Sequence, residues 1–78
     1  MKIPESNAVW IVNDTVRWSV RNPVGTEKIE IAESGKDGFD EFVLPTANYG
    51  ELRYRFEIGK HYSIRLLCGG QEYALSTL

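Results

Sequence analysis

Apolar and polar residues alternate with a period of two along most of this chain. Leu52, Tyr54, Phe56 and Ile58 interleave with Glu51, Arg53, Arg55 and Glu57. One apolar and one charged face is the signature of a half-buried strand. Tyr62, Ile64, Leu66 and Cys68 form a second alternating run, which enters Gly69-Gly70 and leaves through Gln71, Tyr73 and Leu75. Gly-Gly between two such runs predicts a two-residue hairpin turn, whose central positions both need positive φ. That turn would pair Cys68 with Gln71, Leu66 with Tyr73, and Ile64 with Leu75. The apolar partners then share a face, as burial requires.

Upstream, residues 1–7 read as a loose lead-in. Ala8 to Val12 reads as an edge strand, followed by a turn at Asn13-Asp14. Thr15 to Arg21 alternates again, with Val16, Trp18 and Val20 inward and Arg17, Ser19 and Arg21 outward. Asn22-Pro23 and Gly25 stop it, because proline cannot donate to a ladder. Lys28 to Ala32 is a strand with Ile29 and Ile31 inward. Ser34 to Gly38 is a polar loop. Phe39 to Leu44 is a strand whose face the pattern leaves open, and Pro45 to Gly50 is a connection. No stretch carries a helical period. Seven short strands with turns between them predict an all-β, antiparallel two-sheet sandwich as a single domain over residues 1–78.

Size narrows the possibilities. A chain of 78 residues buries only about 60% of its unfolded surface, leaving a thin core and little room for a cleft with supporting residues. The net charge of −2 lacks the basic surplus of a general nucleic-acid binder, so no nucleic-acid partner is expected. Cys68 is the single cysteine, so the fold holds by packing without an intrachain disulfide. No apolar run approaches the roughly 20 residues of a membrane-spanning helix, so no membrane insertion is expected. No apolar leader follows Met1. A complete chain would point to the cytoplasm, and a module of a larger protein to the cell surface or the exterior; the module reading is favoured.

Two motifs resemble a known superfamily. Trp18 within Thr15-Val16-Arg17-Trp18-Ser19-Val20 resembles the second-strand tryptophan of fibronectin type III-like and bacterial immunoglobulin-like domains. Phe56 to Arg65, with Gly59 ahead of Tyr62, resembles their tyrosine corner. The stretch from Trp10 through Trp18 to Ile31 is similar to the immunoglobulin-like modules of cell-wall-associated proteins. The resemblance covers roughly Trp10 to Leu75. It implies that Tyr62 is the corner residue and that the strands of Trp18 and Tyr54 are neighbours in one sheet. It says almost nothing about function, since such sandwiches serve many roles.

The candidate chemistry is sparse. His61 and Cys68 are seven apart on one predicted strand, hence on opposite faces and about 23 Å apart, too far for a nucleophile and its base. No catalytic residue is assigned. No zinc spacing exists and no cofactor is expected. Asp37, Asp40 and Glu41 read as a solvated loop, with weak Ca²⁺ binding the alternative. Arg17, Arg21, Arg53 and Arg55 are expected to meet on one exposed sheet face. That face is either salt-bridged to Glu51 and Glu57 or a patch for an anion or acidic partner. Trp18, Tyr54, Phe56, Tyr62, Ile64, Leu66 and Tyr73 are assigned to the core. Trp10 and Tyr49 fall outside that parity and are the ligand-binding candidates, against a reading in which Trp10 packs over the core edge. Asn13-Asp14-Thr15 is a glycosylation sequon on a turn.

These readings describe a non-catalytic interaction or spacer module with a protein or polysaccharide partner. A carbohydrate-binding module is the first alternative and anion binding by the arginine face the second. The core assignment has a direct test. Trp18→Ala should cost about 3–5 kcal/mol in urea unfolding, and equal stability of variant and parent would refute it.

Overall fold

A computed structural model describes residues 7–78. Seven strands follow one another: β1 (Ala8–Val12), β2 (Thr15–Ser19), β3 (Glu27–Glu33), β4 (Asp40–Val43), β5 (Tyr49–Arg53), β6 (Tyr62–Cys68) and β7 (Gln71–Thr77). They form two antiparallel sheets, ordered β1-β2-β5 and β4-β3-β6-β7. The architecture is a small all-β sandwich. Apart from Asn7, the expected lead-in lies outside the described residues.

The alternating pattern explains which side chains lie between the sheets. β2 contributes Val16 and Trp18, β3 Ile29 and Ile31, and β6 Tyr62, Ile64 and Leu66, all buried. Val9, Val20 and Leu44 complete the buried cluster, and Tyr54, Phe56 and Tyr73 pack against it partly exposed. β1 is an edge strand of its sheet and runs close to β7, which joins the sheets along one side. On the opposite side the sandwich is closed by aromatic rings. Phe42 meets Tyr54 edge-on at 5.9 Å, and Phe56 meets both Tyr54 and Tyr62 at 5.0 Å. Edge-on contacts of this kind add to simple burial. There the Tyr54 hydroxyl also donates to Asp40 Oδ2 at 2.6 Å, linking the end of β5 to the start of β4.

Both turn glycines of the last hairpin have positive φ, 59° at Gly69 and 82° at Gly70, and Cys68 pairs with Gln71. The expected pairing fails beyond that point. The register shifts between Leu66 and Leu67, so that Leu66 opposes Ala74 and Ile64 opposes Ser76. Tyr73 is the extra residue of a β-bulge. Leu75 is turned outward and is 53% exposed.

The strand expected over Leu52 to Ile58 is displaced as well. β5 starts at Tyr49 and ends at Arg53, opposite Thr15, where β2 itself begins. Beyond that residue no partner strand remains, and one further bond, from Tyr54 N–H to the Asp14 carbonyl, ends the pairing. Tyr54 and Phe56 keep their inward parity without a ladder, while Ile58 sits fully exposed in the turn before β6. Of the segment of open face, Phe42 and Leu44 point inward and Phe39 and Val43 outward.

Gly50 follows from a close approach. It stands opposite Trp18 across β2 and β5. A Cβ there would lie 2.5 Å from the indole Cζ2 of Trp18, well inside contact distance. Only glycine lets β5 come to its pairing distance under that ring. Gly50→Ala should therefore cost about 1–3 kcal/mol through overpacking, read by urea unfolding, and much less in a Trp18→Leu background. The same cost in both backgrounds would exclude the indole as the cause.

Candidate functional site

The outer face of the three-stranded sheet collects residues from three strands. Val9, Ile11, Val16, Trp18 and Leu52 point inward, so their neighbours point out. The register sets Trp10, Arg17 and Glu51 in one cross-strand row. Ala8, Ser19 and Tyr49 form the next row on one side, and Val12, Thr15 and Arg53 the next on the other. Trp10 is half-buried and belongs neither to the core cluster nor to the residues packed against it. Tyr49 is 61% exposed. Strand spacings put their Cα atoms about 12 Å apart, with β2 between them.

Arg17 Nε lies 3.6 Å from Glu51 Oε2. Arg53 shares this face. Arg21 follows β2 by two residues at the opposite end of the sheet, with its N–H bonded to Asn7 Oδ1, and Arg55 lies past the end of β5. The four arginines expected to meet are thus spread along the sheet. The register spaces Arg21 from Arg53 by several residues, because each strand stops before its second arginine.

The salt-bridged face lies elsewhere. Across the outer side of the four-stranded sheet, Lys28 reaches Glu41 at 3.2 Å and Glu30 at 4.0 Å, while Arg65 reaches Glu30 at 3.8 Å and Glu72 at 3.5 Å. Charges from β4, β3, β6 and β7 interlock in one chain. Lys60 pairs with Glu57 at 2.9 Å and Glu33 at 3.5 Å. Arg21, Arg53 and Arg55 make no ion pair among the described residues.

Two hollows flank Tyr54. One, of about 300 Å³, lies among Glu33, Lys36, Asp37, Phe39 and Asp40. The other, of about 280 Å³, is lined by Asp14, Arg53, Tyr54 and Arg55. The bond to Asp40, together with burial, pushes the Tyr54 hydroxyl up to about 12, so it stays a donor at neutral pH. Of the acidic residues expected in a loop, Asp40 and Glu41 instead open β4, where Asp40 is engaged by Tyr54 and Glu41 by Lys28. Among the described residues no three His, Cys, Asp or Glu side chains group to hold a metal ion.

Cys68 lies half-buried at the far end of β6 from the exposed His61. Its Sγ is 3.5 Å from Glu27 Oε2 and 3.4 Å from Thr26 Oγ1. The nearby Cys68 thiol pushes the Tyr73 hydroxyl's pKa up. Glu27 is the charged residue the pattern hides. It is 1% exposed, and its carboxylate accepts the N–H groups of Val24 at 2.9 Å and Gly25 at 3.1 Å. Its own position just ahead of the Ile29-Ile31 alternation, in step with those inward residues, was the available signal.

No family model, curated protein or solved structure matches the chain. No helix among the described residues is long and apolar enough to cross a membrane.

The Glu27 carboxylate ties the loop before β3, and this has a pH signature. Burial opposes its charge, but the bonds from Val24, Gly25 and Cys68 outweigh that, holding its pKa below 4.5. With the folded value depressed, the stabilisation is complete above the unfolded value and is lost as pH falls through the folded one. Glu27→Gln should cost about 1–3 kcal/mol at pH 7 and lose less stability than the parent on acidification below pH about 4.5. Parallel stability curves for the two proteins would contradict this role.

Proposed function

We propose that this chain is a non-catalytic interaction or spacer module of immunoglobulin-like or fibronectin type III-like type, carried by a larger cell-surface or secreted protein. The strand order supports that class. The first, second and fifth strands share one sheet, and the third, sixth and seventh share the other, the division such sandwiches use. The Tyr62 hydroxyl accepts the Glu57 N–H at 2.9 Å, five residues upstream. A tyrosine corner makes this type of bond at the entry to its sixth strand. Trp18, 2% exposed, occupies the core beneath the second strand.

The observation that carries the interaction role is the outer face of β1-β2-β5. Trp10, Arg17, Tyr49 and Arg53 stand together there on a rigid ladder. Broad, stiff aromatic rings bind at low entropic cost, and arginine adds directional donors. His61 precedes β6 and Cys68 ends it, so these two cannot act together as base and nucleophile.

A carbohydrate-binding role is the second reading, favoured by the half-buried Trp10 and the exposed Tyr49 sharing that face, since aromatic rings can stack on sugars. A two-dimensional NMR titration with soluble oligosaccharides, following both indole signals, tests it. Saturable movement of the Trp10 signal with Trp18 unmoved is expected for binding, and Trp10→Ala should abolish it without unfolding the domain. Silence across the panel would exclude the carbohydrate reading and leave the spacer or protein-contact role.

A further inference from the structure

Charge is distributed unevenly between the two sheets. On the four-stranded sheet Lys28 and Arg65 are both held by carboxylates, and at the corner Lys60 is held by two. Arg53 and Arg55 are not so held, and they line the same hollow of about 280 Å³. The Glu57 carboxylate, whose charge feels Arg55, is bonded to Lys60. Two guanidiniums at one cavity, each with its donors uncommitted to a carboxylate, form a ready acceptor for an oxyanion.

We propose that the hollow between Arg53 and Arg55 takes the carboxylate or sulfate of an anionic saccharide, whose chain continues over the sheet face bearing Trp10. This rests on the carbohydrate reading and names its ligand class. Three observations bear on the ligand, the first of them favouring a saccharide over an acidic polypeptide. Asp14 lines the same hollow, and its oxygens can accept from the hydroxyl donors that surround an acidic group on a sugar, donors that an acidic polypeptide side chain lacks. The Tyr54 hydroxyl is spent on Asp40, so its ring serves as a wall. Arg53 sits one cross-strand row from Trp10 on the same face, which lets one ligand reach both. The hollow's volume is near the lower bound for small-ligand cavities, a size for one sugar unit.

The test uses the whole chain and three probes: an oligogalacturonate, a neutral galacto-oligosaccharide of equal length, and polyglutamate. NMR follows the arginine Nε–H and tryptophan indole signals. Oligogalacturonate should give saturable shifts at Arg53, Arg55 and Trp10. The double variant Arg53→Gln/Arg55→Gln should weaken its binding at least about tenfold, the loss of one or more charge-assisted bonds. Arg21→Gln, at the far end of the sheet, should not. An unmoved Trp18 indole certifies that each variant is folded. Equal binding of the neutral sugar, insensitive to the double variant, would overturn the anion hollow and leave the carbohydrate reading standing. Equal shifts with polyglutamate would overturn the choice of a saccharide. No shift with any probe would overturn both.

Discussion

The packing of the Trp18 indole over Gly50 is the constraint from which the rest of the sandwich can be understood. The ring fills the space between the sheets from β2, and β5 reaches its hydrogen-bonding distance only because residue 50 has no Cβ. That contact fixes which residues of β5 stand opposite which of β2. Because side chains alternate, it also decides that Arg17, Tyr49, Glu51 and Arg53 face outward with Trp10. A register slip of one residue would bury two charges and expose Leu52. The face proposed for binding is therefore set by a core contact on the other side of the same sheet.

The two outer faces differ in kind. The four-stranded sheet engages Lys28 and Arg65 with carboxylates in a chain of ion pairs running over all its strands. Such exposed pairs contribute little stability individually. Their effect is to leave neither Lys28 nor Arg65 without a carboxylate partner. The three-stranded sheet keeps its aromatic residues and part of its arginine charge available. On the proposed reading, an acidic chain overall carries a local surface suited to an acidic ligand, which net charge alone would argue against.

Much of the fold was legible in the residues, and the failures share one cause. The inward parity of Val16, Trp18, Ile29, Ile31, Ile64 and Leu66 could be read directly, because each lies in a strand with an unbroken ladder. The reading failed at Leu75, turned outward beyond the residue that the bulge adds at Tyr73, and at Ile58, where β5 has already lost its partner. Period-two counting assumes that a strand continues, and a strand continues only while a neighbour supplies bonds. For the candidate site, Trp10 and Tyr49 were visible as aromatics outside the core parity. The scatter of the four arginines was not, since it depends on where β2 and β5 stop. The Tyr54–Asp40 bond joins elements whose proximity no local pattern encodes.

By itself the sequence determined the strand-forming segments other than β5, the glycine turn at 69–70 and most of the side chains that must leave water, because these follow from local backbone preference and hydrophobic periodicity. Only the tertiary structure decided which strands are neighbours, which glutamates neutralise which cations, and that Arg53 and Arg55 border one hollow beside the Trp10 face. Those outcomes depend on contacts between residues far apart in the chain, and the geometry of such contacts exists only once the two sheets have packed.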